Sequence, residues 1–193
     1  MPNWCNNTLD ISGDEAEIKR FKENAESYED KQHLSLEKLY PIPEKEKENW
    51  YNWHVENWGT KWDVDGELIN ESSETLDYVF DSAWTPPIEA FTKISLDYPT
   101  LRFKLEFEET GMEFAGYADI EKGIADVCEE KIESGICPEC GDDARRVRGE
   151  CSMCGMMIEY LIQPVGSVLD SSDIDRSGSP EKIVQNEKTD DIV

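Results

Sequence analysis

The chain has 193 residues and a formal net charge of −25, with 44 acidic residues against 19 basic ones. This length suits one core domain with a small appendage, and so acidic a chain is unlike proteins that bind duplex nucleic acid through clustered Lys and Arg. No apolar run is long enough to span a bilayer, and the N-terminal residues lack the pattern of a signal peptide. We therefore predict a cytoplasmic protein with no membrane contact.

The first half of the chain contains a strand, a helix and a long insertion. Residues 4–11 alternate as a strand should, and Asp14 follows as the cap of a helix whose apolar positions are Ile18, Phe21 and Ala25. Residues 28–62 form an irregular insertion with four tryptophans, at positions 50, 53, 58 and 62.

The next segments have β composition and then helical spacing. Residues 62–69 and 75–83 are predicted strands joined by a polar turn at 70–74. Pro86-Pro87 begins a helix that Tyr98-Pro99 ends. Its predicted apolar positions are Ile88, Phe91, Ile94 and Leu96. Residues 101–107 alternate as a strand with one buried face.

The element order is β-α-β-β-α-β, which predicts an α+β, ferredoxin-like split β-α-β antiparallel sheet with both helices on one face. Two further strands, 112–119 and 124–130, are expected to extend this sheet. The predicted domains are a ferredoxin-like domain at 1–130, a zinc ribbon with a closing strand (160–169) at 135–169, and a disordered acidic tail at 170–193.

Two Cys-x-x-Cys-Gly motifs point to a metal. Cys137 and Cys140 form the first pair, and Cys151 and Cys154 form the second. Each pair places two thiolates on one tight turn, the following glycine supplies the positive φ of that turn, and ten residues between the pairs suffice for a short hairpin. Four thiolates suit tetrahedral Zn²⁺. Two disulfides or four free thiols are the alternatives, which a cytosolic compartment disfavours.

The tryptophan-rich motifs are predicted to form a ligand or partner surface, with aromatic faces for stacking, polar groups for orientation and a lysine for a charge contact. The residues assigned to it are Trp4, Asn7, Trp58, Gly59, Thr60, Lys61, Trp62 and Trp84. The alternative is structural: the indoles form the seam between the insertion and the sheet, with their N–H groups bonded to polar partners.

Four motifs together resemble a known family: MPNWCNN at 1–7, NWGTKWD at 57–63, AWTPP at 83–87 and EETGMEFAG at 108–116. Over about residues 1–120 the chain is similar to the YubB-like, Api-type ferredoxin-like proteins of bacteriophages and conjugative plasmids. The resemblance implies a ferredoxin-like fold and an origin in a phage or mobile element, hence a host cytoplasm. It implies no established activity and covers none of the cysteine motifs.

One basic cluster lies between the cysteine pairs, at Arg145, Arg146 and Arg148. Zinc ribbons present such residues to nucleic acid. The favoured interpretation is intramolecular: the arginines neutralise a Zn(Cys)₄ centre or dock the ribbon on the acidic domain.

The sequence shows no recognisable catalytic set. His54 lies among the tryptophans and is interpreted as a packing or surface residue, and Cys5 and Cys128 are interpreted as buried strand cysteines. The leading hypothesis is a non-enzymatic, zinc-containing protein of a phage or mobile element that binds a host protein, in a narrower form as an anti-defence protein or a DNA mimic.

The acidity itself has a plainer explanation in solubility or adaptation to a salty cytosol. The alternative functions are an RNA- or nucleotide-binding module that uses the tryptophans and ribbon arginines, and an enzyme with an unrecognised pocket near Trp58, Lys61, His54 and Trp84.

Overall fold

A six-stranded antiparallel sheet organises the first two-thirds of the chain, in a computed structural model that describes residues 3–26, 33–147, 150–158 and 161. Its strands stand in the order β2-β3-β1-β4-β5-β6. They are β1 (Trp4–Ser12), β2 (Glu67–Glu71), β3 (Thr75–Ala83), β4 (Arg102–Glu109), β5 (Phe114–Glu121) and β6 (Ile124–Lys131). The first four strands have the ferredoxin-like order, so the predicted fold class is confirmed, and β5 and β6 extend the sheet as predicted.

Two helices cover one face of this sheet. They are α1 (Glu15–Ala25), capped by the Asp14 carboxylate, and α4 (Ile88–Asp97). Phe103 of β4 is central to the core, with its ring centroid 5.6 Å from that of Phe21 in α1 and 6.2 Å from that of Phe91 in α4. Because strand side chains alternate between faces, the opposite face of the sheet carries the polar half of each strand.

The insertion contains α2 (Leu36–Leu39), a 3₁₀ helix (Glu44–Asn49) and α3 (Trp50–Asn57). The Asp63 carboxylate accepts hydrogen bonds from the Leu36 amide (2.6 Å) and the Ser35 hydroxyl (2.7 Å), which caps α2. The prediction of a strand from residue 62 is therefore wrong at its start, because this segment is used in capping and β2 begins at Glu67. The turn is correspondingly shorter than predicted, since β2 continues to Glu71.

Two burial predictions are also wrong. Leu96, predicted as an apolar helix position, is 59 % exposed because it lies off the buried stripe of Ala90, Phe91 and Ile94. Cys128 is exposed because it lies on the uncovered face of the edge strand β6. Cys5 is buried, as predicted, and burial raises the pKa of its thiol to about 12.

A second, three-stranded sheet follows β6 after the single buried residue Ile132. It consists of β7 (Glu133–Ile136), β8 (Asp143–Val147) and β9 (Glu150–Cys151), and it carries the cysteines. The predicted tail at 170–193 lies outside the described residues, as do Arg148 and all of the predicted closing strand except Leu161, which is buried.

Candidate functional site: a thiol cluster, an acidic face and an aromatic cluster

The two cysteine motifs fold into matching knuckles. In the first, the Glu139 amide donates to Cys137 Sγ (3.4 Å) and the Gly141 amide donates to the Cys137 carbonyl (2.9 Å). In the second, Met153 and Gly155 make the same two bonds to Cys151, also at 3.4 and 2.9 Å. Both glycines have a positive φ, 76° and 69°, as the sequence predicts. β8 and β9 pair antiparallel, as expected for a short hairpin.

The four sulfur atoms converge on one point. They all lie within 4.8 Å of one another, and Cys137 Sγ is 4.0 Å from Cys154 Sγ. Tetrahedral Zn–S bonds of about 2.3 Å place the sulfurs roughly 3.8 Å apart, so this cluster has the dimensions of a four-thiolate metal site. Hydrogen bonds from backbone amides, those of Cys154 and Met153 among them, lower the pKa of the Cys151 thiol to about 7. The cluster can hold a metal ion.

The ribbon arginines make intramolecular contacts. Arg145 pairs with Glu108 of β4 at 3.0 Å, across the boundary between the two sheets. Arg146 donates from Nε to the Ile158 carbonyl (2.9 Å) and pairs with Glu133 at 3.5 Å. Arg145 thus makes an ion pair between the ribbon and the acidic domain, of the kind predicted, while the contacts of Arg146 lie within the ribbon.

The uncovered face of the main sheet is strongly acidic. Cross-strand partners share a face, and the registers place two bases, Arg102 and Lys104, among ten acids on this face of the six strands. The ten are Asp10, Glu67, Asp77, Asp81, Glu106, Glu108, Asp119, Glu121, Asp126 and Glu130. Sequence reasoning assigned the acidity to the folded part of the chain, but the alternation pattern that collects it on one face was available and was not used.

An open groove of about 460 Å³ lies on this acidic face. Its lining includes five carboxylates: Asp65, Glu67, Asp81, Glu106 and Glu108. Burial and the nearby charges of Asp77 and Glu106 raise the pKa of Asp10, on the same face. The face therefore carries like charges that repel one another and favour a cationic partner.

The four sequence motifs of the resemblance meet at one end of the sheet. The start of β1 lies opposite the ends of β3 and β4, so that Asn6 faces both Asp81 and Glu108. The Thr60 hydroxyl clamps the 57–63 motif to the end of β3, accepting from the Ala83 amide and donating to the Ala83 carbonyl, both at 3.0 Å. A Cβ added to Gly111 would lie 2.7 Å from the Asn3 amide nitrogen, which places the fourth motif beside the first.

An aromatic cluster stands at this end, around Lys61. The Lys61 Nζ lies 4.6 Å from the ring centroid of Trp62, 5.2 Å from that of Trp84 and 5.6 Å from that of Tyr51. Trp62 in turn packs on Trp4, with the two ring centroids 5.9 Å apart. Tyr51 was missed by the sequence reasoning, because nothing in its local sequence separates it from the other aromatics of α3.

Trp84 has an unusual backbone conformation. Its φ is 71°, in the left-handed region that a bulky residue rarely adopts. Its amide donates to the Asn3 carbonyl at 3.0 Å, and the adjacent Thr85 hydroxyl bonds to the Gly59 carbonyl. Such a conformation costs about 1–3 kcal/mol and persists where surrounding contacts fix it, so the backbone under this ring is set by the neighbouring motifs.

The predicted tryptophan surface is divided by the structure. Trp4 and Trp62 are 47 % and 38 % exposed. Asn7, Trp58 and Thr60, which were assigned to the same ligand or partner surface, are buried beneath it. Trp58 fits the structural alternative instead, since its indole N–H donates to the Tyr40 carbonyl (2.9 Å) and its ring fills the seam between insertion and sheet.

Two further residues of the predicted enzyme pocket have structural contacts. The His54 ring stacks on that of Trp58, with the ring centroids 3.8 Å apart, and the His54 Nδ1 lies 2.9 Å from the Lys61 carbonyl oxygen. This arrangement agrees with the interpretation of His54 as a packing residue. Gly59 has a φ of 77°, and a Cβ there would lie 1.9 Å from the Glu89 carboxylate. A glycine is therefore required by the backbone turn at this position.

The comparison with protein families agrees with this architecture. The family model described as "Ferredoxin-like domain in Api92-like protein" matches residues 57–147. Over these residues the chain is similar to the Api92-like ferredoxin-like domain. The matched region begins after the Asn3–Asn7 motif and extends through the first cysteine pair and β8, so its bounds differ from the predicted 1–120, and part of the ribbon falls inside the Api92-like match.

One solved structure is similar to this chain. The crystal structure of a protein Api92 from Yersinia pseudotuberculosis is 10 % identical in sequence, covers 70 % of this chain and 99 % of its own, and gives a TM-score of 0.49. Among functionally curated proteins, nothing matches. Within the described residues, no helix is both long and apolar enough to cross a membrane.

Proposed function

We propose that this protein is a non-enzymatic, zinc-containing binding protein of a phage or mobile element, and that the acidic face of its sheet binds a basic surface of a host protein. The observation that carries the proposal is the concentration of ten carboxylates on the one sheet face that the helices leave uncovered. Such a surface attracts cationic partners and repels nucleic acid.

The ribbon supplies an intramolecular example of this recognition. The Arg145 guanidinium lies 3.0 Å from the Glu108 carboxylate, and Glu108 also lines the groove. A basic partner would make the same kind of contact with the remaining carboxylates. In its narrower form the proposal is mimicry of DNA, but Arg102 and Lys104 interrupt the acidic face, which favours a general basic protein surface over an imitation of two phosphate backbones.

The experiment is capture of host proteins on the immobilised full-length protein, at low and at moderate salt. The test variant is Asp65→Lys/Glu67→Lys, which reverses two exposed charges at the groove. The control is Glu23→Lys/Asp97→Lys, which makes the same charge change on the exposed helical side. We expect the captured protein to be lost with the first variant and kept with the second. Equal capture by both, or no partner at either salt, would contradict the proposal.

The metal is proposed to be Zn²⁺, because four thiolates in two knuckles suit a tetrahedral, redox-inert ion. A four-thiolate zinc centre carries a net charge of about −2, and Arg145 and Arg146 bring positive charge to the same hairpin. Elemental analysis of the purified protein would test the identity, with one zinc per chain as the expected result. Iron in place of zinc would contradict it.

An RNA- or nucleotide-binding module is the second candidate, and the exposed rings of Trp4 and Trp62 beside Lys61 are the observation that favours it. The ion pairs of Arg145 and Arg146 count against it. Retention of single-stranded RNA on a filter, lost with Trp62→Ala and with Arg145→Glu, would replace the leading proposal with this one.

A further inference from the structure

Lys61 is held by aromatic rings in a protein rich in carboxylates. Its Nζ lies within 6 Å of the ring centroids of Tyr51, Trp62 and Trp84, the distance at which a ring face attracts an ammonium. Across the described part of the chain, no carboxylate oxygen is paired with this ammonium. The rings therefore form a cage that accepts a lysine ammonium, and the occupant at present is the protein's own.

The backbone under the Trp62 and Trp84 rings is set by contacts that do not involve the Lys61 side chain. The Trp84 backbone is held at φ 71° by its bond to the Asn3 carbonyl, and the Thr60 hydroxyl bridges the 57–63 motif to Ala83. Trp62 has Trp4 as a neighbour. We therefore expect the rings to stay close to these positions when the Lys61 side chain leaves.

The cage adjoins the acidic face. Trp4 is on the same face of β1 as Asn6 and Thr8, both of which line the acidic groove. On the insertion side, Trp62 is followed by Asp65 and Glu67, which line the same groove. When basic residues of a partner contact the carboxylates of the groove, a neighbouring side chain of the partner can therefore reach the cage.

We propose that the three rings around Lys61 are a binding site for a lysine side chain of the basic partner, and that Lys61 occupies this site until the partner displaces it. The inference rests on the proposed function and adds a specific recognition point to a surface that is otherwise only acidic. The incoming ammonium gains the ring contacts together with the adjacent carboxylates, and the released Lys61 ammonium returns to water.

The first test measures the affinity of the full-length, metal-loaded protein for a fluorescent oligolysine peptide at low salt. Trp62→Leu removes one ring of the cage and is expected to weaken binding roughly threefold to tenfold. Trp50→Leu is the control: Trp50 has similar exposure (41 % against 38 %) and contacts Tyr51 edge-on, with the ring centroids 6.0 Å apart, but its own ring does not contact Lys61. A similar loss in both variants would overturn the inference.

The second test empties the cage. Lys61→Ala removes the competing ammonium and is expected to tighten oligolysine binding about threefold more than Lys93→Ala, which removes the same charge from an exposed position on α4. If the two variants bind oligolysine equally tightly, the increase in affinity is due to net charge alone, and Lys61 does not compete with the peptide for the cage.

The third test follows Lys61 directly by NMR in the wild-type protein, so it does not depend on the folding of a variant. Ring currents should shift the Lys61 Hε protons upfield, and saturation with oligolysine should return them to ordinary values. Binding of the peptide with these protons still upfield would refute the cage inference and leave the proposed function standing. No binding of oligolysine to the wild type would refute both.

Discussion

The ribbon and the aromatic cluster around Lys61 are built in opposite ways. The four sulfurs of the ribbon come from residues 137 to 154, and each knuckle is complete within one turn of chain. The aromatic cluster takes Trp4, Tyr51, Trp62 and Trp84 from different elements, and it exists only when β1, β3 and the insertion have come together. For this reason the four-cysteine cluster could be predicted from the spacing of its residues, whereas the residues of the aromatic cluster could not.

The largest effect is expected from breaking the ribbon. Cys137→Ser should abolish stoichiometric metal binding, and chelation of the metal should unfold the ribbon, because a structural zinc ion contributes about 10–16 kcal/mol to small metal-bound folds. Elemental analysis and NMR spectra of the same samples would check this. Since the core of the main sheet is separate from the ribbon cluster, the signals of β1 to β4 should persist. Their loss would show that the two parts fold as one unit.

Within the tryptophan motifs, substitution of a buried residue should destabilise the fold more than substitution of an exposed one. Trp58→Ala is expected to lower the free energy of unfolding by about 3–5 kcal/mol, because it leaves a cavity under the insertion and an unpaired Tyr40 carbonyl. Trp62→Ala, at the exposed cage, should cost less than about 1 kcal/mol. Denaturant unfolding measures both, and similar losses would contradict the division of these residues into seam and surface.

The clamp between the 57–63 motif and β3 should have an intermediate effect. Thr60→Val keeps the shape of the side chain but removes both hydrogen bonds to Ala83, leaving a buried amide and carbonyl unsatisfied. We expect a loss of about 1–3 kcal/mol in unfolding free energy, with a return of the Lys61 Hε protons toward ordinary shifts. Thr60→Ser, which keeps the hydroxyl, should retain most of the stability, and a Ser variant as weak as Val would exclude the clamp as the cause.

The smallest effect concerns the acidic face. The pKa of Asp10 is raised by burial and by Asp77 and Glu106, so its charged form destabilises the folded state. Asp10→Asn should therefore stabilise the protein at pH 7, by about 0.2–1 kcal/mol, the value of a cross-strand pair. The gain should fade as the pH falls through the raised pKa and vanish below the ordinary one. Thermal unfolding at pH 7 and pH 4 tests the sign, and a gain that grows at low pH would contradict it.

The sheet was predictable because its signals are periodic. Leu9, Leu76 and Phe103 alternate with polar neighbours, and these strands and their order were confirmed. The errors fall where a long-range contact overrides the local pattern. Trp62 and Val64 alternate with polar residues as in a strand, but Asp63 is engaged in capping α2. Cys128 lies in a predicted strand, but no helix covers its face.

The sequence by itself determined the α+β class, the order of the ferredoxin-like elements and the four-cysteine cluster, because periodicity and Cys-x-x-Cys spacing act over a few residues of chain. Only the tertiary structure decided which tryptophans are buried, and only there do the acids on one sheet face and the rings around Lys61 come together. Those arrangements depend on strand register and on which face the helices cover, and both are set by packing between residues distant in the sequence.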